Sequence, residues 1–551
     1  MNGSLRPRLV CLTCFVATTL FHHGLSANTT ADLELGISSG RISGVAEEGI
    51  RVFRGIPYAA PPVGELRWAA PQAPFSWQGV RDASDFGPWC PQPDFQAVQS
   101  LSKAGGELAA RTRTTGGFLV ISNTPMVAQS AEDCLTLNVW TPPTARKAPV
   151  MVWLHGGTGS GAQPYYDGTR FAQDGVVLVT INFRLWSLGR FAHPALTAAV
   201  TADEPLGLYF RLDQIAALKW VRDNIAQFGG DPDNVTLFGQ SAGGAATLGL
   251  LATPAAKGLF HKAIVQSSSG FWSPLSHEDH ETFGSLLAAE AGLPGKKATL
   301  EQLRALAPDA LPWAGMGFLD GRWWAESKHD AIAAGRINDI PLIIGWNSFD
   351  GSSLRYGTEK VLADTPDDVI AAYAEEGLQG SDLAYSIYTD RHNGAPARWI
   401  AAQTSTGAPT YLYQFSYVGT VLRQSAKGAS HGEEIFYIFD TWGKIPKSEL
   451  PPGMDIEAIM TDDDRAMTRL MRGCWVAFAK TGKPECEGAP SWPRYRAEDD
   501  QLMDFGITVQ LRQNYRKAQL DAQEQAMDHE RDLKRHGAQS LIREMQSEVG
   551  G

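Results

Sequence analysis

The chain has 551 residues, 43% of them apolar and 20% charged, which is ordinary globular usage and enough to bury a large core. Its formal charge of −12 argues against a nucleic-acid binder, which needs a basic face to pair with phosphates. Net charge of this size bears on solubility and steering and leaves the fold open.

The elements follow in chain order. Arg6 and Arg8 precede an apolar run, Leu9 to Phe21, and small residues around Ser26 and Ala27. That order predicts a secretory signal peptide over 1–27, and hence a secreted or periplasmic mature protein. The run is shorter than the roughly 20 residues of a membrane span, and no second long apolar segment follows. From Gly36 to Arg54 short apolar runs alternate with glycines, as in an antiparallel meander at a sheet edge. The prolines of Ile56 to Gly64 force an ordered loop. Residues 91–131 are polar and small and read as a long excursion with a cysteine at each end.

Leu135 to Trp140 reads as a strand, and Ala148 to Leu154 and Val176 to Ile181 are nearly unbroken β-branched and apolar runs. Such runs suit strands covered on both faces. Gln214 to Phe228 has helical spacing, with Ile215, Leu218, Val221 and Ile225 on one side. A strand at Asn234 to Phe238, a helix from Ala245 and a strand at Lys262 to Gln266 continue the alternation. The prediction is an α/β fold, a mostly parallel sheet with helices on both faces and a small N-terminal antiparallel region. Pro341 to Gly345 and Pro409 to Ser416 read as further strands, with helical cap insertions around 275–335 and 355–400. The tail from Asn514 is charged, and Ala522 to Gln546 reads as a solvated helix. No repeat or linker interrupts 28–551, so one catalytic domain is expected.

Outside the signal the cysteines are Cys90, Cys134, Cys474 and Cys486. Four cysteines allow three connectivities, of which sequential pairing is the simplest, and export permits disulfides. No CxxC and no close histidine accompanies them, which argues against a zinc site or other metal.

A hydroxyl attacks only when a base removes its proton, and the oxyanion it creates needs donors aimed at it. The string G-x-S-x-G on a strand–turn–helix supplies such a nucleophile. It occurs twice, at Gly239-Gln-Ser241-Ala-Gly243 and at Gly428-Ala-Ser430-His-Gly432. The first follows the strand ending at Phe238 and opens a helix; the second follows no strand. Ser241 is therefore the predicted nucleophile. Downstream, His431 lies on a tight glycine-flanked loop, whereas His261, His277 and His280 lie in a surface-like turn or a charged helix start. Asp350, directly after an apolar strand, is the predicted acid that fixes the histidine tautomer, with Asp320 as the competitor. The backbone N–H of Ala242 and the Gly156-Gly157-Thr158 turn after Leu154 are the expected oxyanion donors.

Taken together, these strings resemble the type-B carboxylesterase and cholinesterase family of α/β-hydrolases. The matching segments include Phe53 to Ala59, Pro61 to Arg67, Glu132 to Val139, His155 to Gly157, Phe228 to Pro232, Gly239 to Gly244 and His431 to Glu434. The resemblance implies ester hydrolysis by a serine–histidine–acid triad without a cofactor. It implies oxyanion donors at Gly157, Thr158 and Ala242, a Cys90–Cys134 disulfide and an ion pair between Arg54 and Glu132. The expected partner is a small-molecule ester, with no nucleic acid. The chain departs from the family in carrying Asp350 in place of Glu, Gln240 where Glu precedes the serine, and Trp186 in place of Gly. A neutral Gln240 should tolerate an anionic ester better than Glu. The indoles Trp186, Trp272, Trp323 and Trp324 are candidates to shape a roomy aromatic gorge.

Overall fold

A computed structural model describes residue 1 and residues 33–92, 129–157, 159–202, 204–268, 270, 274–308, 317–354, 357–445 and 455–527. The expected signal peptide, Thr158, Trp272 and most of the 91–131 excursion lie outside these residues.

The strands among them are Glu34–Ile37 (β1), Gly40–Ser43 (β2), Val45–Glu47 (β3), Ile50–Pro57 (β4), Val80–Asp82 (β5), Thr136–Thr141 (β6) and Ala148–Leu154 (β7). They continue with Val177–Ile181 (β8), Gly230–Gln240 (β9), Lys262–Gln266 (β10), Leu342–Asn347 (β11), Thr410–Phe415 (β12), Gln501–Phe505 (β13) and Val509–Gln513 (β14). Eleven form one sheet in the order β14-β13-β12-β11-β10-β9-β7-β8-β6-β4-β3. The run from β13 to β8 is parallel, and antiparallel strands close both edges.

Alternation along the central strands explains their unbroken apolar runs. In β7, Val150, Val152 and Leu154 join one core cluster, while Met151 and Trp153 join the other on the opposite face. In β8, Val177, Val179 and Ile181 are divided from Leu178 in the same way. A strand buried on both faces has no polar side to show. The helix Tyr209–Asn224 packs Leu212, Ile215, Leu218 and Val221 into the first of these clusters. An almost fully buried, bidentate pair between Arg184 and Asp213 ties the chain after β8 to that helix. Breaking such a pair by removing one partner costs on the order of 3–5 kcal/mol.

Disulfides join Cys90 to Cys134 and Cys474 to Cys486. Three expectations need correcting. The N-terminal meander divides: β1 and β2 pair with β5 in a separate three-stranded sheet, and only β3 and β4 edge the large one. Arg54 does not meet Glu132. It pairs with Glu47, across the β3–β4 hairpin, and Glu132 is instead held by Arg67. The tail helix starts earlier than expected, at residue 517, and Leu520 and Gln523 on it are buried; of the expected 522–546, residues 528–546 lie outside the described residues.

Among the described residues no helix is long and apolar enough to cross a membrane.

Candidate active site

The chain runs from β7 outward to β8, then returns to the other side of β7 as β9 and proceeds through β10, β11 and β12. Loops leaving the carboxyl ends of β7 and β9 therefore diverge, and the crevice between them is where open α/β sheets bind ligands. Gly156 and Gly157 follow β7, and Ser241 follows β9, with Leu154 and Gly239 in register.

Ser241 sits at φ 55°, ψ −124°, between the strand and the helix Ala242–Leu251. A non-glycine residue held there carries roughly 1–3 kcal/mol of strain. The turn closes so tightly that its neighbours must be glycine. A Cβ at Gly243 would lie 1.9 Å from the carbonyl oxygen of Leu154, and one at Gly239 would lie 2.7 Å from the same atom. At Gly244 it would reach 2.8 Å from Ser268 Cβ, and at Gly156 2.7 Å from the Gln240 carbonyl. That last approach lays the β7 loop against the serine turn. Gly157 takes φ +51°, and Ala242, the first helical residue, is exposed.

The histidine and the acid arrive on two loops zipped together. Phe349 and Ser430 form a parallel bridge, the Phe349 N–H donates to Ala429 O at 2.8 Å, and the His431 N–H donates to Ser352 Oγ at 2.8 Å. This brings His431 Nδ1 within 2.7 Å of Asp350 Oδ1, while Asp350 Oδ2 accepts the Asn347 N–H at 3.0 Å. Asp350 is fully buried. A carboxylate accepting at Nδ1 fixes the tautomer whose lone pair is on Nε2. That atom faces the side-chain amide of Gln240 at 3.3 Å, next to Ser241 in the chain.

Beneath the acid lies a carboxyl that the sequence reasoning did not single out. Glu434 is fully buried and accepts from Gln266 Nε2 at 3.1 Å and from Asn347 Nδ2, which also donates to Ser430 O at 2.7 Å. Gln266 in turn accepts from Trp475 Nε1 at 3.1 Å. Burial, then the charge of Asp350, pushes the Glu434 carboxyl up to about 7. Burial likewise raises Glu433 to about 7, although its carboxylate accepts the Ser430 N–H. The signal for Glu434 was an acidic residue heading an otherwise apolar helix, Glu434–Phe439.

The rival candidates are engaged elsewhere. Asp320 accepts the backbone N–H groups of Leu206, Arg322 and Trp324. His261 accepts the Val235 N–H, His277 meets Thr197 and Glu281, and His280 stacks on Phe318. Trp186 begins a short helix at φ 49°, keeping the left-handed backbone that a glycine would suit. Trp324 is buried and donates to Thr253 Oγ1 at 2.8 Å, with Trp323 against it. Trp324 is thus a core residue rather than part of an open wall.

Against known proteins, the sequence profile of the Carboxylesterase family matches residues 28–371 and 374–523. The chain is 33% identical to the para-nitrobenzyl esterase of Bacillus subtilis, over 86% of this chain and 94% of that one. It is 34% identical to the fumonisin B1 esterase of Sphingopyxis macrogoltabida, over 86% of each. Among solved structures, a PNB esterase matches with a TM-score of 0.71 at 29% identity, over 89% of this chain and all of that one. A Geobacillus stearothermophilus carboxylesterase matches with the same TM-score at 30% identity, over 89% and 99%.

Proposed function

The chain belongs to the Carboxylesterase family, and on that premise we propose that this carboxylic ester hydrolase works through Ser241, His431 and Asp350 by way of an acyl-enzyme. The supporting observation is the 2.7 Å contact of His431 Nδ1 with a fully buried Asp350, which leaves Nε2 as the basic nitrogen beside the strained serine turn.

His431 Nε2 takes the hydroxyl proton as Ser241 Oγ attacks the ester carbonyl, and Asp350 stabilises the imidazolium that results. The N–H groups of Gly157, Thr158 and Ala242 receive the oxyanion, donors of a kind worth roughly 3–4 kcal/mol each in the transition state. The alkoxide leaves with the proton returned by His431. Water, deprotonated by the same nitrogen, then releases the acid and restores Ser241. Neither a metal nor a cofactor enters any step.

Substrate preference is part of the proposal. Gln240 places a neutral amide beside His431, so an ester bearing a negative charge meets no repelling carboxylate at that position. Bulky esters would use the crevice between the β7 and β9 loops. The apolar leader over 1–27 and the two disulfides support export.

The test is a burst assay with short and medium p-nitrophenyl esters, wild type beside Ser241→Ala, followed by mass spectrometry after an organophosphate. A burst, an inactive but folded variant and one adduct on Ser241 are expected. Turnover that survives in Ser241→Ala, or folded wild-type protein with neither turnover nor adduct, would overturn the assignment.

A further inference from the structure

The turn that begins at Gly156 closes on itself. A Cβ at Gly159 would lie 2.7 Å from the Gly156 carbonyl oxygen and 2.9 Å from His155 Nδ1, so whatever fixes Gly159 also fixes the start of the turn. Just beyond, the polar groups are tied down by neighbouring strands and loops. The Ser160 hydroxyl and the Gly161 N–H both donate to Asn182 Oδ1 at 2.8 Å, and Gly161 O accepts from Asn138 Nδ2 at 3.2 Å. The Gly159 carbonyl is held by another part of the chain. Gln92 Nε2 donates to it at 3.0 Å, and to Cys90 O at 3.2 Å.

Gln92 is fully buried, and its own backbone is stiff. It lies in Cys90-Pro91-Gln92-Pro93, where the first proline fixes the residue before it and the second confines Gln92 to extended conformations. The Cys90–Cys134 disulfide anchors this segment, as does a parallel bridge between Trp89 and Ser130. Asn182 Nδ2 donates to Pro88 O at 3.0 Å, so Asn182 grips the segment as well as the turn. Two carbonyls demand the nitrogen of the Gln92 amide, and among the described residues its buried Oε1 has no partner. A buried acceptor without a donor costs stability. A methionine of similar size would avoid that cost, so the two donations have a use beyond packing.

On the esterase reading above, we propose that Gln92 is a positioning residue for the oxyanion hole. Its amide locks the Gly159 carbonyl and thereby holds the Gly157 N–H where the oxyanion forms. Oxyanion donors count only if they are aligned before the charge develops, and a displacement of about 1 Å costs on the order of a hundredfold in rate. Being buried, Gln92 acts through the turn and not on the ester itself.

The experiment compares wild type, Ser241→Ala, Gln92→Met and Gln92→Glu, each checked for folding by circular dichroism. It measures kcat and KM for p-nitrophenyl butyrate. It also measures inhibition by an alkyl trifluoromethyl ketone, to which serine adds to give a tetrahedral oxyanion, and by the plain alcohol of the same chain length. In Gln92→Met kcat should fall roughly 10- to 100-fold, and ketone affinity should fall by the same factor as kcat/KM. KM and alcohol affinity should stay within about threefold, because only an interaction made in the transition state is lost. Gln92→Glu is the conservative variant. Protonated, its carboxyl O–H still donates to Gly159 O; ionised, it has no proton to give. Its kcat relative to wild type should therefore fall between about pH 6 and pH 9, while the same ratio for Gln92→Met stays level. Folded Gln92→Met with unchanged kcat and ketone affinity, or with ketone and alcohol weakened alike, would overturn the proposal. If Gln92→Met does not fold, a level pH ratio in Gln92→Glu overturns it instead. Turnover that survives in Ser241→Ala strikes the serine reading itself, whereas Ser241-dependent turnover that is indifferent to Gln92→Met strikes the role of Gln92 alone.

Discussion

Gln240→Glu tests the electrostatics of the site most directly. The amide is 3.3 Å from His431 Nε2 and only 4% exposed, so a carboxylate there interacts at close range. Two unit charges about 4 Å apart at an effective dielectric of about 20 attract by about 4 kcal/mol. The open side of the crevice and the cost of desolvating the new carboxylate reduce this to roughly 1–3 kcal/mol, or about 1–2 pH units at 1.36 kcal/mol per unit. The sign is fixed by the reaction: the carboxylate favours imidazolium, and His431 must be neutral to act as base. The acid limb of kcat/KM on a neutral p-nitrophenyl ester should therefore move to higher pH by about 1–2 units. Well below that limb, activity should fall roughly 10- to 100-fold, with the plateau changed less. The same charge should lower kcat/KM on an anionic ester relative to a neutral one by roughly tenfold. An unmoved acid limb together with an unchanged substrate ratio would refute the reasoning.

Two further outcomes follow from the surroundings of the acid. Asp350→Asn should fold normally by circular dichroism and lose on the order of 10⁴ in kcat, because an amide favours the wrong histidine tautomer; a loss under tenfold would remove Asp350 from the triad. Glu434 bears on stability, since its folded carboxyl titrates near 7, above its usual value of 4.5. The folded state then binds the extra proton between those values, so this group's contribution to stability is full below the lower value and declines as pH rises to about 7. Glu434→Gln should remove that decline. In urea unfolding its stability relative to wild type should rise between pH 5 and pH 8 by about 1–3 kcal/mol. A difference that stays flat across this range would show that Glu434 is not protonated in the folded protein.

The legible parts of the molecule were those set by local pattern. β7 and β8 declared themselves as unbroken apolar runs because both faces are buried, and Ser241 was chosen between two strings of the same G-x-S-x-G pattern by the strand before it and the helix after it. Asp350 was chosen from its place just past an apolar strand, and it lies 2.7 Å from His431 Nδ1. What sequence could not supply was set by register and by distant chain. Arg54 meets Glu47, which the β3–β4 register sets opposite Ile50, and nothing in the spacing of Arg54 and Glu132 reveals that Arg67 claims the latter. Glu434 acquires its raised proton affinity from its burial and then from Asp350, which lies far from it in the chain. The closing hairpin, β13 and β14, was missed although its alternation and its Gly506 turn were visible.

The glycines around Ser241 have a consequence for how such enzymes diverge. Each is demanded by an atom of the scaffold, such as the Leu154 carbonyl or the Ser268 Cβ, and none by the reaction. Selection for a folded protein alone would therefore preserve the glycine frame after the hydroxyl had gone. Loss of catalysis is a one-codon event that leaves the architecture intact, whereas loss of any frame glycine strikes the architecture first. A descendant of this chain could become a binding protein while keeping nearly all of its enzymatic signature, and the residue at position 241 would be the place to look.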